Sequence, residues 1–199
     1  MRPDTQVHDA LARLLEYPRE SWFDRVEEAA HVVAAGCPRA WEPLSRFIGF
    51  ARVTPQGELE ELFTRTFDNT DQRALEVGWH VFGENYTRGT FMAAVRRDLR
   101  EAGVAENGEL PDHLSHLLPL LARLPESKAA ELAVDTVAPA VRKVQLALAG
   151  QENPWTPVLD AVLEVLVLHD ERARTAPIAQ APKAPDPDRC DSMPENGDE

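Results

Sequence analysis

Between Val158 and Leu168 this chain carries apolar residues nearly all the way round a helix. A helix without a polar face has to lie among other helices, so this one run commits the chain to a bundle built around it. Asn153-Pro154 precedes the run and supplies a cap and a first-turn proline. The rest of the sequence provides the surrounding helices, because its apolar residues recur at helical spacing between proline and glycine stops. Val7, Leu11, Leu14 and Leu15 form a stripe ending at Tyr17-Pro18, where the residue before proline is pushed out of the helical region. Further helices are expected over 21–35, closed by Gly36, over 41–52, and over 58–67, with Leu59, Leu62 and Phe63 on one side. Residues 74–82 fit a strand through Leu75, Val77, Trp79 and Val81, and a helix through Leu75, Trp79 and Phe82. Helix is the expectation, since no second strand is available to pair with it. Helices over 86–102, closed by Gly103, and over 111–124, with Pro111 in the first turn, come next. Ser127 is expected to cap a helix that Pro139 kinks or divides before Gly150. The fold class is therefore all-α: a single-domain helical bundle of about nine or ten helices over residues 1–174, with no internal repeat.

From Thr175 onward the composition shifts to prolines alternating with six acids, against only Lys183 and Arg189. Residues 175–199 read as a disordered acidic tail. Most of the formal net charge of -13 nevertheless belongs to the helical part, which disfavours nucleic acid or anionic membrane as partner and favours a cationic one. Acidity that merely keeps the chain soluble is the alternative. Cys37 and Cys190 cannot make a disulfide framework, the N-terminus lacks a secretory apolar region, and no run is long enough for a membrane span. A cytoplasmic protein without stable membrane insertion is expected.

No Gly-rich phosphate loop, nucleophile motif or paired-cysteine metal signature is present, so function has to be sought in recognition chemistry. Arg88 shares an angular sector with Phe91, Met92, Val95 and Leu99, which turns a charge toward the apolar face of its helix. It either snorkels to the rim or braces an acidic site, with Asp112, Asp68 or Glu84 as partner. Gly89 beside it would let another backbone approach. Asp112 and His116 stand four apart on the next expected helix, where the helix dipole alone could account for the aspartate, and His113 lies at the edge of its leucine stripe. The spacing His113-x-x-His116 lacks a third ligand, so no metal site is expected. Trp79, His80, Phe82 and Tyr86 cluster with Gly78, Gly83 and Glu84. Core packing explains many such clusters, yet ring faces beside carboxylates also suit Arg or Lys side chains. A hydrolase or lyase built on His80, His113 and a carboxylate would lack a nucleophile. A structural helical adaptor, its polar motifs only capping and bracing helices, remains the alternative to a binding protein.

Three segments carry a resemblance: Glu61-Leu62-Phe63-Thr64-Arg65-Thr66-Phe67-Asp68, then Gly78-Trp79-His80-Val81-Phe82-Gly83-Glu84-Asn85-Tyr86-Thr87-Arg88-Gly89, then Glu109-Leu110-Pro111-Asp112-His113-Leu114. Their order and spacing, with Leu14-Leu15-Glu16-Tyr17-Pro18 ahead of them, resemble the chaperones of twin-arginine-exported molybdenum enzymes. These are the nitrate reductase delta-chain family and the trimethylamine-oxide and dimethyl-sulfoxide reductase chaperones. The resemblance implies a chaperone without catalytic turnover or cofactor. It would bind the N-terminal leader of a molybdopterin oxidoreductase catalytic subunit and hold it until molybdenum cofactor insertion is complete, as a monomer or a domain-swapped dimer. It also implies a peptide site using Trp79, Tyr86, Asp112 and His113, to which the reading of the neighbouring residues adds His80, Glu84, Arg88, Gly89 and His116. Many relatives have an acid a few residues past the Asp-His pair, where this chain has Ser115-His116-Leu117-Leu118-Pro119. The Gly-Trp-His and Ser-His-Leu-Leu-Pro segments resemble most the branch serving type II enzymes of the dimethyl-sulfoxide reductase family.

Overall fold

The computed structural model describes residues 3–19 and 21–175. The expected tail lies, from residue 176 on, outside the described residues. The chain forms α1 (Pro3–Leu14), α2 (Trp22–Gly36), α3 (Pro38–Val53), α4 (Gln56–Phe63), α5 (Val77–Phe82), α6 (Tyr86–Glu101), α7 (Leu114–Leu121), α8 (Glu126–Leu132), α9 (Ala138–Leu148) and α10 (Thr156–Thr175). Among the described residues there is no β-strand, and the all-α expectation holds.

The last helix is the centre. α10 packs most extensively on α3 and also meets α1, α8 and α9. Val158, Leu159, Ala161, Val162 and Val165 are fully buried, while Asp160 and Glu164 keep the remaining side of the helix partly in water. Trp155, just before α10, donates its backbone N–H to the Asn153 side-chain oxygen (2.9 Å) and is the hub of an aromatic cluster. Its ring centroid lies 4.7 Å from Phe47, 5.2 Å from Phe63, 5.7 Å from Phe67 and 5.8 Å from Trp22. One continuous apolar core runs from this cluster through Leu11, Leu14 and Leu15 of the N-terminal segment to the leucines of α7.

Two helices pass into π turns. α4 continues as Thr64–Asp68, and α8 continues as Ala133–Val137 into α9. The second ends just before Pro139, near the start of α9, so the missing proline N–H is absorbed where the ladder is already loosened. Local starts differ from expectation in three places. Ser127 lies inside the first turn of α8, where Pro125 stands at the cap. Pro111 falls in a turn ahead of α7, whose cap is His113. Residues 74–82 are helical only from Val77. Before it, Glu76 is extended, with the Val77 amide donating to the Asp112 carbonyl (2.9 Å) and the Leu114 amide to the Leu75 carbonyl (3.0 Å). Glu76 and His113 thus form an isolated antiparallel bridge, and the partner for the alternating residues is supplied by the segment before α7.

Truncating the aromatic hub is expected to remove more stability than any single leucine. Trp155→Ala should lower the unfolding free energy by about 3–5 kcal/mol, measured by urea denaturation followed by helical circular dichroism.

Candidate functional site

The bridge between Glu76 and His113 draws the segment 74–82 against the turn before α7, and a cleft of about 410 Å³ opens beside it. Leu15, Phe63, Phe67 and Leu75 supply buried apolar surface at its wall, and Trp79 and Leu110 add apolar surface nearer the mouth. Asp68, Asp71, Glu76 and Glu109 bring four carboxylates to the same cleft. Arg88 is the basic side chain that lines it.

Asp112 stands behind this wall. Its side chain has no solvent access, and Arg88 donates from Nε to Oδ2 at 3.0 Å. The second carboxylate oxygen, Oδ1, is buried without a hydrogen-bond partner. The ion pair fits only because residue 78 is glycine: a Cβ there would sit 2.5 Å from Asp112 Oδ2, 3.1 Å from Phe91 and 3.3 Å from Arg88. Gly89, expected to admit a close neighbour, has open space around it. The close approach belongs to Gly78. The Arg88 guanidinium carbon also lies 5.6 Å from the Trp79 ring centroid, so part of that ring already meets a cation from within the chain.

The histidines hold loops and caps. His113, at the edge of the cleft, accepts the amide of Ser115 on Nδ1 (3.1 Å) and the Ser115 hydroxyl on the same nitrogen (2.7 Å). That nitrogen carries no proton, and the ring caps α7 in its neutral form. Burial, reinforced by neighbouring His116, pushes its pKa down to about 3. His116 donates from Nδ1 to the Leu110 carbonyl (2.9 Å) and accepts the Asn107 amide on Nε2 (3.0 Å), clipping the loop that brings Glu109 and Leu110 to the cleft. It makes no bond to Asp112, so the expected i, i+4 pair is replaced by Arg88–Asp112. His80 donates to the Ala74 carbonyl (2.7 Å), and burial lowers its pKa. Among the described residues no group of three or more His, Cys, Asp or Glu could hold a metal ion.

Of the nine sequence candidates, Trp79, Arg88 and His113 line the cleft, with Asp112 directly behind them. His80 and His116 brace it from inside. Glu84, Tyr86 and Gly89 sit at the exposed start of α6 and do not line it, and Tyr86 is 91% exposed. Sequence reasoning missed Tyr17, Asp71 and Glu76 as lining residues. Glu76 is half-buried, and its carboxyl pKa is raised by burial and by the nearby Asp112 charge.

This arrangement lies within a matched family. The model of the nitrate reductase delta subunit family covers residues 31–161, most of the chain, including every cleft residue except Leu15 and Tyr17. The chain belongs to that family. It is 28% identical over 159 residues to the nitrate reductase molybdenum cofactor assembly chaperone NarJ of Escherichia coli (strain K12), spanning 78% of this chain and 67% of that protein. The protein of the same name from Escherichia coli O157:H7 matches with the same identity and coverage. Both relatives are molybdenum cofactor assembly chaperones by name, in line with the family resemblance carried by the three motifs. No helix among the described residues is long and apolar enough to cross a membrane.

Two outcomes follow for this family member. Arg88→Met leaves Asp112 buried and unpaired and should cost on the order of 3 kcal/mol, while Arg88→Met combined with Asp112→Asn should recover part of it, read from urea midpoints. The second concerns acid. His113 and His169, whose folded pKa values are about 3 and about 4, bind protons more readily in the unfolded chain, where the value is about 6.5. Stability is therefore fully present above pH about 6.5 and falls as the pH drops below it, by up to about 1.4 kcal/mol per pH unit for each ring. His113→Asn, which keeps a capping oxygen, should flatten that slope in unfolding curves taken between pH 8 and pH 5.

Proposed function

We propose that this chain is a cytoplasmic assembly chaperone for a molybdopterin-containing oxidoreductase. It binds the N-terminal leader of the catalytic subunit and holds it until molybdenum cofactor insertion is complete. The observation that carries this reading is a cleft with apolar and aromatic walls and four carboxylates, within a chain of the nitrate reductase delta subunit family. The names of the relatives support the cofactor-assembly part.

Recognition proceeds by two complementary surfaces. An apolar side chain of the leader packs on Phe63, Phe67 and Leu75, and its Arg or Lys side chains meet the carboxylates of Asp68, Asp71, Glu76 and Glu109. Arg88, paired with Asp112 and lying over the Trp79 ring, fixes one wall of the cleft. A leader seated there is withheld from export machinery, so chaperoning needs occupancy and release with no chemical turnover. Client enzymes of the type II dimethyl-sulfoxide reductase family fit the Gly-Trp-His and Ser-His-Leu-Leu-Pro segments.

A structural adaptor draws support from His80 and His116, which hydrogen-bond to the Ala74 and Leu110 carbonyls, and from Asp112, whose Oδ2 is taken by Arg88. Titrating a fluorescent synthetic twin-arginine leader into the purified chain separates the two readings. Saturable binding that weakens with added salt is expected, with Trp79→Ala reducing affinity about tenfold or more. No binding by the unaltered chain at low salt would leave the adaptor standing.

A further inference from the structure

Three depressions meet at Tyr17. The main cleft is one. A second, of about 170 Å³, includes Glu16, Arg19 and Arg25, and a third, of about 390 Å³, includes Glu60, Glu61 and Thr64. Tyr17 lines all three. The residue follows α1, where buried Pro18 ends any helical continuation, and its ring stands edge-on to Phe63 with centroids 5.7 Å apart. Phe63 in turn lines the main cleft and touches the Trp155 hub. The ring is thus anchored from below while bordering open space on several sides.

Size makes this junction matter. At about 410 Å³ the main cleft is in the low range of pockets that take one small molecule, whereas an amphipathic segment is recognised through several side-chain anchors spaced along it. The main cleft receives only part of such a segment, and the rest has to cross Tyr17. The two side depressions differ in what they offer. Glu16 is already engaged, by Arg25 at 2.6 Å and by the Asn107 amide at 3.2 Å. In the third depression, which Arg65 also lines, Glu61 meets among the described residues only that exposed arginine, loosely at 3.8 Å, and Glu60 accepts the neutral amide of Gln56 at 2.8 Å, leaving two carboxylates against one cation. That side retains negative charge for an incoming cation.

Resting on the leader-binding reading, we propose that Tyr17 is a specificity-determining residue of the site. Its ring divides the groove so that the bound segment sets an apolar side chain in the main cleft and a basic side chain across the ring, against Glu60 and Glu61. A segment with only one of these features is held by half the groove.

The test uses the full chain, a synthetic twin-arginine leader, and a series of the same peptide with each basic residue in turn changed to Gln, with fluorescence anisotropy as readout. Tyr17→Phe keeps the ring and should bind within about twofold of the unaltered chain, while Tyr17→Ala should weaken binding about tenfold or more. Glu60→Gln with Glu61→Gln should erase the preference for one particular basic residue of the leader, and Tyr17→Ala should reduce that same preference. A purely structural tyrosine would change overall affinity and leave the preference intact. If Tyr17→Ala loses helical circular dichroism, Tyr17→Leu takes its place with the same expectation. Leader binding by the unaltered chain with no effect of either Tyr17 substitution overturns the assignment and leaves the leader site standing. An unaltered preference in the Glu60/Glu61 variant overturns it equally. Absence of any leader binding overturns both readings together.

Discussion

A carboxylate sealed from water must be answered by charge and by fit, and Asp112 obtains both from segments far apart in sequence. Arg88 of α6 supplies the charge at 3.0 Å, Gly78 of α5 supplies the room, and the Asp112 carbonyl accepts the Val77 amide. Three pieces of chain are pinned at one residue. Because a buried charge without its partner is strongly destabilising, this arrangement tolerates little drift, and the cleft wall that stands on it inherits the same rigidity.

The cleft is also rooted in the core. Phe63 and Phe67 contact the Trp155 hub on one side and line the cleft on the other. Trp155 is fixed at the entry to the central helix α10, so the apolar walls of the site are an outcrop of the main hydrophobic core rather than a separate patch. The carboxylates come from elsewhere: a π turn, a 3₁₀ turn, the extended stretch before α5 and the loop clipped by His116. Packing thus sets the apolar walls, and irregular backbone sets the charge.

How much of this could be read from the sequence follows from what each signal depends on. Helices were legible because their apolar period is local, and the central position of α10 was legible because Val158 to Leu168 leaves no polar face. The partnership of Arg88 was narrowed to three acids, Asp112 among them, because a charge in an apolar sector demands a counter-charge. The short bridge at Glu76 was not legible: the alternation from Leu75 to Val81 fits a strand, but its partner is a single residue, His113, more than thirty positions away in a segment with no strand pattern of its own. The close approach was assigned to Gly89 rather than Gly78, because a glycine adjacent to a functional arginine looks the same as one that makes room for it until the neighbour in space is known. Asp71 and Glu76 are two among 34 acids, and only folding distinguishes them.

The π turn that continues α4 has its own consequence. A turn of this kind accommodates one residue more than an α-helical turn, and between Thr64 and Asp68 that surplus sets the angle at which Phe67 and Asp68 leave the helix. Were the surplus residue deleted, the turn would tighten to ordinary α geometry, and Phe67 and Asp68 would leave the helix along a different path, an aromatic wall and an acid moving together. The shape of the cleft thus depends on backbone spacing in this turn as well as on the side chains that line it.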